Sequence, residues 1–248
     1  MTQHLLIIGA QRCGTTYLRS LLDSHPQITM ARPARPEPKV FLSAELAARG
    51  REWYEATYFA HAGSEILLGE KSTSYLEHPE AADRATSVLG LAEIVVMLRD
   101  PVARAVSNWQ FSNENGLEDL PLDEAVADNL RGPRDWDRAV SSVSPFAYLE
   151  RGRYADYLEP WCARFPGRVH VRFFEELTTD EAELAGLYKD LGVDPNFRPD
   201  NLGRPVNTSR GVPPELAPNL VAEVRRYVAD SDARLRTRLG RELPWPSH

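Results

Sequence analysis

Leu5-Leu6-Ile7-Ile8-Gly9-Ala10-Gln11-Arg12-Cys13-Gly14-Thr15-Thr16 is the stretch on which the fold turns. Four consecutive large apolar residues closed by a glycine suit a strand covered on both faces, as in a parallel sheet. The two threonines after the second glycine open a stretch of helical character, Thr15 to Asp23. The unit therefore reads as strand, glycine-bounded turn and helix. Gly9 and Gly14 let the backbone curl so that successive N–H groups point inward, and a helix start adds unpaired donors and partial positive charge. Such a turn accepts an anionic oxygen. Nucleotide triphosphatases carry lysine directly after the second glycine, but Thr15 holds that place and the basic residue, Arg12, lies inside the loop. That departure weighs against an ATPase or kinase. Cys13 reads as a small loop filler, since no histidine neighbours it to support thiolate chemistry.

Further short apolar runs at Ile66 to Leu68, Ile94 to Leu98 and Val169 to Phe173 join His4 to Ile8 as candidate strands. Helical candidates lie between and beyond them, at Pro79 to Val88, Pro101 to Asn113, Tyr154 to Phe165 and Glu215 to Leu239. The alternation predicts an α/β chain, a three-layer P-loop-like fold whose central, mostly parallel sheet is flanked by helices. Ala31 to Pro38 and Asn196 to Pro214 are rich in proline and read as loops. With 248 residues, 42% of them hydrophobic, residues 1–248 are expected to form one domain around one core.

A net charge of −7 argues against nucleic acid or an anionic membrane as the main partner, so an anionic cofactor must be held by local positive charge. Two cysteines, Cys13 and Cys162, are too few for a disulfide framework and lack zinc-site spacing, which points to a reducing, cytoplasmic setting. Neither a signal peptide nor a membrane span is expected, because the apolar opening is short and no stretch reaches about 18 apolar residues.

A second anion site is predicted at Ile94-Val95-Val96-Met97-Leu98-Arg99-Asp100-Pro101. Arg99 stands at the carboxyl end of an apolar strand, where open parallel sheets bind ligands. Ser107 lies about two turns into the following helix, so a guanidinium fork and a hydroxyl are available to one phosphate. Asp100 suits the N-cap of that helix and Pro101 its first turn.

Together these stretches resemble the two signatures for 3′-phosphoadenosine 5′-phosphosulfate (PAPS) in the sulfotransferase superfamily, notably the branch holding heparan sulfate sulfotransferases and their bacterial relatives. The resemblance implies that Gln11, Arg12, Cys13, Gly14, Thr15 and Thr16 hold the 5′-phosphosulfate and that Arg99 and Ser107 hold the 3′-phosphate. Arg12 replaces the usual lysine, exchanging a mobile point charge for a planar fork. Glu37-Pro38-Lys39-Val40-Phe41 is similar to the family segment whose glutamate acts as general base, and Gly69-Glu70-Lys71-Ser72 to the segment whose lysine approaches the sulfate. An aspartate that some members carry shortly after is replaced by the run Phe41-Leu42-Ser43. Arg151-Gly152-Arg153-Tyr154 and Phe174-Glu175-Glu176-Leu177 resemble structural segments, and Asn207-Thr208-Ser209-Arg210 a loop closing over the cofactor. The implied catalytic set is Glu37, Lys71 and Arg12, with Arg210 added to the cofactor contacts and no metal required. His25, just past the first helix, reads as structural.

The implied activity is sulfuryl transfer to a hydroxyl or amine of a small-molecule, glycoside or carbohydrate acceptor. A P-loop kinase of a small metabolite and a non-catalytic nucleotide-binding module stay open beside it. The sequence leaves the acceptor and the oligomeric state open, and Trp53, Tyr54, Trp109, Phe111, Trp136 and Tyr148 are assigned to no site.

Overall fold

The computed structural model describes residues 3–137, 143–204 and 213–246. The opening apolar run forms strand β1 (Gln3–Gly9), and Thr15–Asp23 forms helix α1. There follow β2 (Ile28–Met30), two helices α2 (Ala44–Ala47) and α3 (Gly50–Tyr58), β3 (Leu67–Lys71), α4 (Pro79–Leu89) and β4 (Ala92–Leu98). The chain then runs through α5 (Pro101–Glu114), α6 (Leu122–Arg131), α7 (Tyr154–Arg164), β5 (Val169–Phe173), α8 (Phe174–Leu177), α9 (Glu181–Asp190) and α10 (Pro218–Leu239). All strand pairings are parallel and the order is β2-β3-β1-β4-β5. This is the α/β, P-loop-like arrangement the alternation predicts, with helices flanking the sheet. β1 lies at its centre, and Leu5 to Ile8 and Ile94 to Leu98 are wholly buried, as strands covered on both faces require.

The predicted strand at Ile66 to Leu68 continues through Gly69 and Glu70 to Lys71. A glycine and two charges hide it from a reading by apolar runs. Gly69 is needed for packing, because a Cβ there would overlap the Met30 sulfur. β2, only three residues long, exists through its pairing with β3, Ile28 opposite Leu67 and Met30 opposite Gly69. α3, α6 and α9 are further additions to the predicted elements. In α6 the buried Leu122, Ala125, Val126 and Asn129 recur at helical spacing.

The chain resolves into two compact units, Met1–Leu98 with Tyr157–Val206, and Arg99–Asp156 with Asn207–His248. The first contains the whole sheet. The second packs Ala105, Val106, Leu122, Val126, Tyr148, Leu216 and Val224 into its own core. Within it, Gly152 lets the chain pass close to Pro101, whose Cβ lies 3.1 Å from where a side chain would begin.

Candidate active site

α1 starts without a capping side chain. Gly14 occupies its N-cap at φ 79° and its first turn contains no acid. By contrast, α2, α5 and α9 begin on Ser43, Asp100 and Asp180, each accepting a hydrogen bond from a first-turn N–H. No side chain caps the first-turn donors of α1, and the positive end of the helix dipole lies behind them. Gly14 is required twice over: its backbone is left-handed, and a Cβ would overlap the ring of Phe174, which underlies the turn. Arg12 is also left-handed, at φ 67°. That conformation costs about 1–3 kcal/mol for a residue other than glycine. Burial contributes about 1.5–3 kcal/mol for each large side chain from Leu5 to Ile8, so β1 outweighs the strain in the loop it carries. Cys13 is buried, its sulfur 3.7 Å from the Gln11 carbonyl, as a loop filler would be.

Glu37 and Lys71 meet beside this helix start. Lys71 Nζ lies 2.6 Å from Glu37 Oε1 and donates to Thr16 Oγ1 at 3.4 Å. The pair is only 9% and 16% exposed, which strengthens its attraction relative to open solvent. Thr73 completes the hold on the carboxylate, its N–H donating to Glu37 Oε2 at 3.1 Å and its hydroxyl at 3.3 Å. Thr73 is absent from the sequence-predicted set: it lies in the turn past the end of β3, where no periodicity marks it. Lys71 itself closes β3, whose neighbour β1 places Ile7 opposite it.

Arg99 directly follows β4, and its carbonyl accepts from the Tyr154 hydroxyl at 2.7 Å. Ser107 lies about two turns along α5, half-buried. Asp100 caps that helix as predicted, accepting from Val102 N–H at 2.7 Å, and also pairs with Arg225 at 2.5 Å. Ser43, at the end of the run Phe41-Leu42-Ser43, caps α2. Arg210 and its segment lie outside the described residues. His25 is structural: Nδ1 accepts from the Gln27 N–H at 3.1 Å, which leaves Nε2 to donate to the Asp194 carbonyl at 3.1 Å. Tyr54 and Tyr148 are core residues, whereas Phe111 is exposed. Among the described residues no His, Cys, Asp and Glu cluster is arranged to hold a metal ion, and no helix is long and apolar enough to cross a membrane.

A parallel sheet with a glycine-bounded turn after its central strand, and a Glu37–Lys71 ion pair beside the helix that follows, defines a P-loop-like α/β protein. A model of the sulfotransferase domain family matches residues 2–187, and the chain belongs to that family. Among curated relatives, the bifunctional heparan sulfate N-deacetylase/N-sulfotransferase 3 of Homo sapiens is 31% identical over 205 residues, covering 77% of this chain and 22% of the relative. The heparan sulfate glucosamine 3-O-sulfotransferase 3B1 of Mus musculus is 30% identical over 190 residues, 76% of this chain and 45% of the relative. The chain thus spans less than half the length of these relatives. The crystal structure of a sulfotransferase from Alicyclobacillus acidocaldarius superposes with a TM-score of 0.78 at 26% identity, over 98% of each chain.

Proposed function

We propose that the protein is an enzyme transferring a sulfuryl group from PAPS to a hydroxyl or amine of a small-molecule, glycoside or carbohydrate acceptor, with residues 1–248 serving as one sulfotransferase domain. The observation that carries this reading is the Glu37–Lys71 pair, 2.6 Å apart and joined through Thr16 to the uncapped start of α1. When bound, PAPS supplies the sulfuryl group, which passes to the acceptor with adenosine 3′,5′-bisphosphate as leaving group. Glu37 takes the acceptor proton as the nucleophile closes on sulfur, its carboxylate held in place by Thr73. Lys71 and Arg12 offset negative charge on the transferred group and on the leaving phosphate. The turn Gln11 to Thr16 holds the 5′ end through its backbone donors, as the family resemblance implies. By the same resemblance Arg99 and Ser107 hold the 3′-phosphate, and Arg210 belongs to a loop that closes over the cofactor. Cationic side chains do the work that magnesium does for nucleoside triphosphates, so no metal is needed. Two cysteines, Cys13 and Cys162, too few for a disulfide framework, suit a reducing cytoplasm.

Incubation with sulfur-labelled PAPS and a panel of amino sugars, glycosides and small alcohols, read by mass spectrometry, tests the proposal. A product heavier by one sulfuryl group is expected. Adenosine 3′,5′-bisphosphate binding without sulfated product across the panel would instead identify a non-catalytic nucleotide-binding module, and magnesium-dependent phosphorylation from ATP a kinase.

A further inference from the structure

Beneath the candidate base lies a carboxylate that the proposed chemistry does not use. Glu70, in β3, is 0% exposed. Its Oε1 accepts from Ser72 Oγ at 2.6 Å and its Oε2 from the Tyr54 hydroxyl at 2.6 Å. Tyr75, also buried, lies beside the same carboxylate and helps hold its pKa down. Ser72 and Tyr75 each have a backbone partner: Ser72 Oγ accepts the N–H of Lys39 at 2.9 Å, and the Tyr75 oxygen accepts that of Phe41 at 3.1 Å. The Ser72 hydroxyl has one proton, and giving it to Glu70 leaves lone pairs for the incoming N–H. A relay therefore runs from the Lys39 N–H through Ser72 to the carboxylate, with the Tyr75 contact to Phe41 on the other side of Val40.

We infer that Glu70 is a positioning residue for Glu37, anchoring through Ser72, with Tyr75 packed beside it, the short turn that follows the candidate base; this rests on the reading of Glu37 given above. The turn needs an anchor, because Lys39 is left-handed at φ 51°. Arg84 grips the other end, its Nη1 donating to the Phe41 and Leu42 carbonyls at 3.0 Å each. Lys71 and Thr73 hold the Glu37 carboxylate, while Glu70, through Ser72, holds the backbone two residues further on, at Lys39.

Only a carboxylate suits the central place. Burial pushes the Glu70 carboxyl above its usual range, while the hydroxyl donors pull it back. A glutamine would turn an N–H toward one of those donors and leave that hydroxyl unmatched, so the cost of burying a charge is met by geometry that no neutral side chain of this length reproduces.

The test is a double-mutant cycle on the acceptor of the panel that turns over fastest, with kcat, KM for PAPS and amide hydrogen exchange at Lys39 and Phe41 as readouts. Glu70→Gln is expected to lower kcat about 10- to 100-fold, the scale of a misplacement near 1 Å. KM for PAPS should hold within about twofold, with faster exchange at both amides. In the Glu37→Gln background the same change should cost nothing further, because the two residues act as one unit. Ser72→Ala, which cuts only the Lys39 link, should show a smaller loss of kcat with faster exchange at Lys39, and it carries the test if Glu70→Gln does not fold. Full kcat in Glu70→Gln, unchanged exchange, or losses that multiply with those of Glu37→Gln would each overturn the inference. Full activity in Glu37→Gln alone would instead strike the base assignment, so the two failures are told apart by a single variant.

Discussion

Glu37 and Lys71 arrive from a proline-rich loop and a strand end, and their side chains meet at 2.6 Å because β3 runs far enough to present Lys71 beside Thr16. Their proposed roles separate experimentally. Glu37→Gln keeps the shape but cannot take a proton, so kcat should fall about 10²- to 10⁴-fold; the melting temperature should fall as well, since the Lys71 ammonium, 9% exposed, loses its anion. Lys71→Met removes a charge-stabilising donor, for which about 10²- to 10³-fold is expected. It should also lower the melting temperature, since a carboxylate that is 16% exposed loses its cation. Steady-state kinetics with PAPS, alongside thermal melts, check both. Equal kcat for Glu37→Gln and the unaltered protein would remove Glu37 from the chemistry.

At the scale of the element, α5 depends on one residue for two jobs. Asp100 caps its first turn and pairs with the largely buried Arg225 of α10. Cap loss costs about 1 kcal/mol, and the stranded guanidinium adds to it. Asp100→Ala should therefore lower the melting temperature by more than Asp100→Asn, which keeps the capping oxygen and loses only the charge. At about 2–4 °C per kcal/mol, the alanine variant should fall by about 5–10 °C. β1 offers a pH-dependent case. His4 is 1% exposed, and burial lowers its pKa below 6.5 despite the Glu55 carboxylate 2.8 Å from Nε2. In the unfolded chain the imidazole protonates near its ordinary value, so the unfolded state binds more protons and stability rises with pH. The contribution is complete above pH 6.5 and is lost as pH falls through the lowered value. Urea midpoints of the unaltered protein should drop more steeply with acid than those of His4→Gln. Parallel curves would show that His4 titrates alike in both states.

For the whole molecule, a ligand bound only by the folded chain raises stability by mass action. Adenosine 3′,5′-bisphosphate at about 100 times its dissociation constant should add about 2.7 kcal/mol. A melting shift of roughly 5–10 °C follows. ATP at the same concentration should shift less, and a chelator should leave both melts unchanged. A larger shift with ATP and magnesium would favour the kinase alternative.

The linear order of residues by itself determined the parallel α/β class, the glycine-bounded turn between β1 and α1, the α5 cap at Asp100 and the structural part played by His25. Each is local physics: an apolar run covered on both faces, glycines where the backbone must turn left-handed or pass close to a neighbour, a cap beside a proline, and a histidine placed just beyond a helix. Only the tertiary structure decided that β3 extends through Gly69, Glu70 and Lys71, that Thr73 grips Glu37, that Phe174 underlies Gly14 and that the buried Glu70 is bonded by Ser72 and Tyr54. A buried carboxylate and a three-residue strand have no periodicity of their own. They are stable because hydroxyls and a neighbouring strand distant along the chain supply the partners that burial demands.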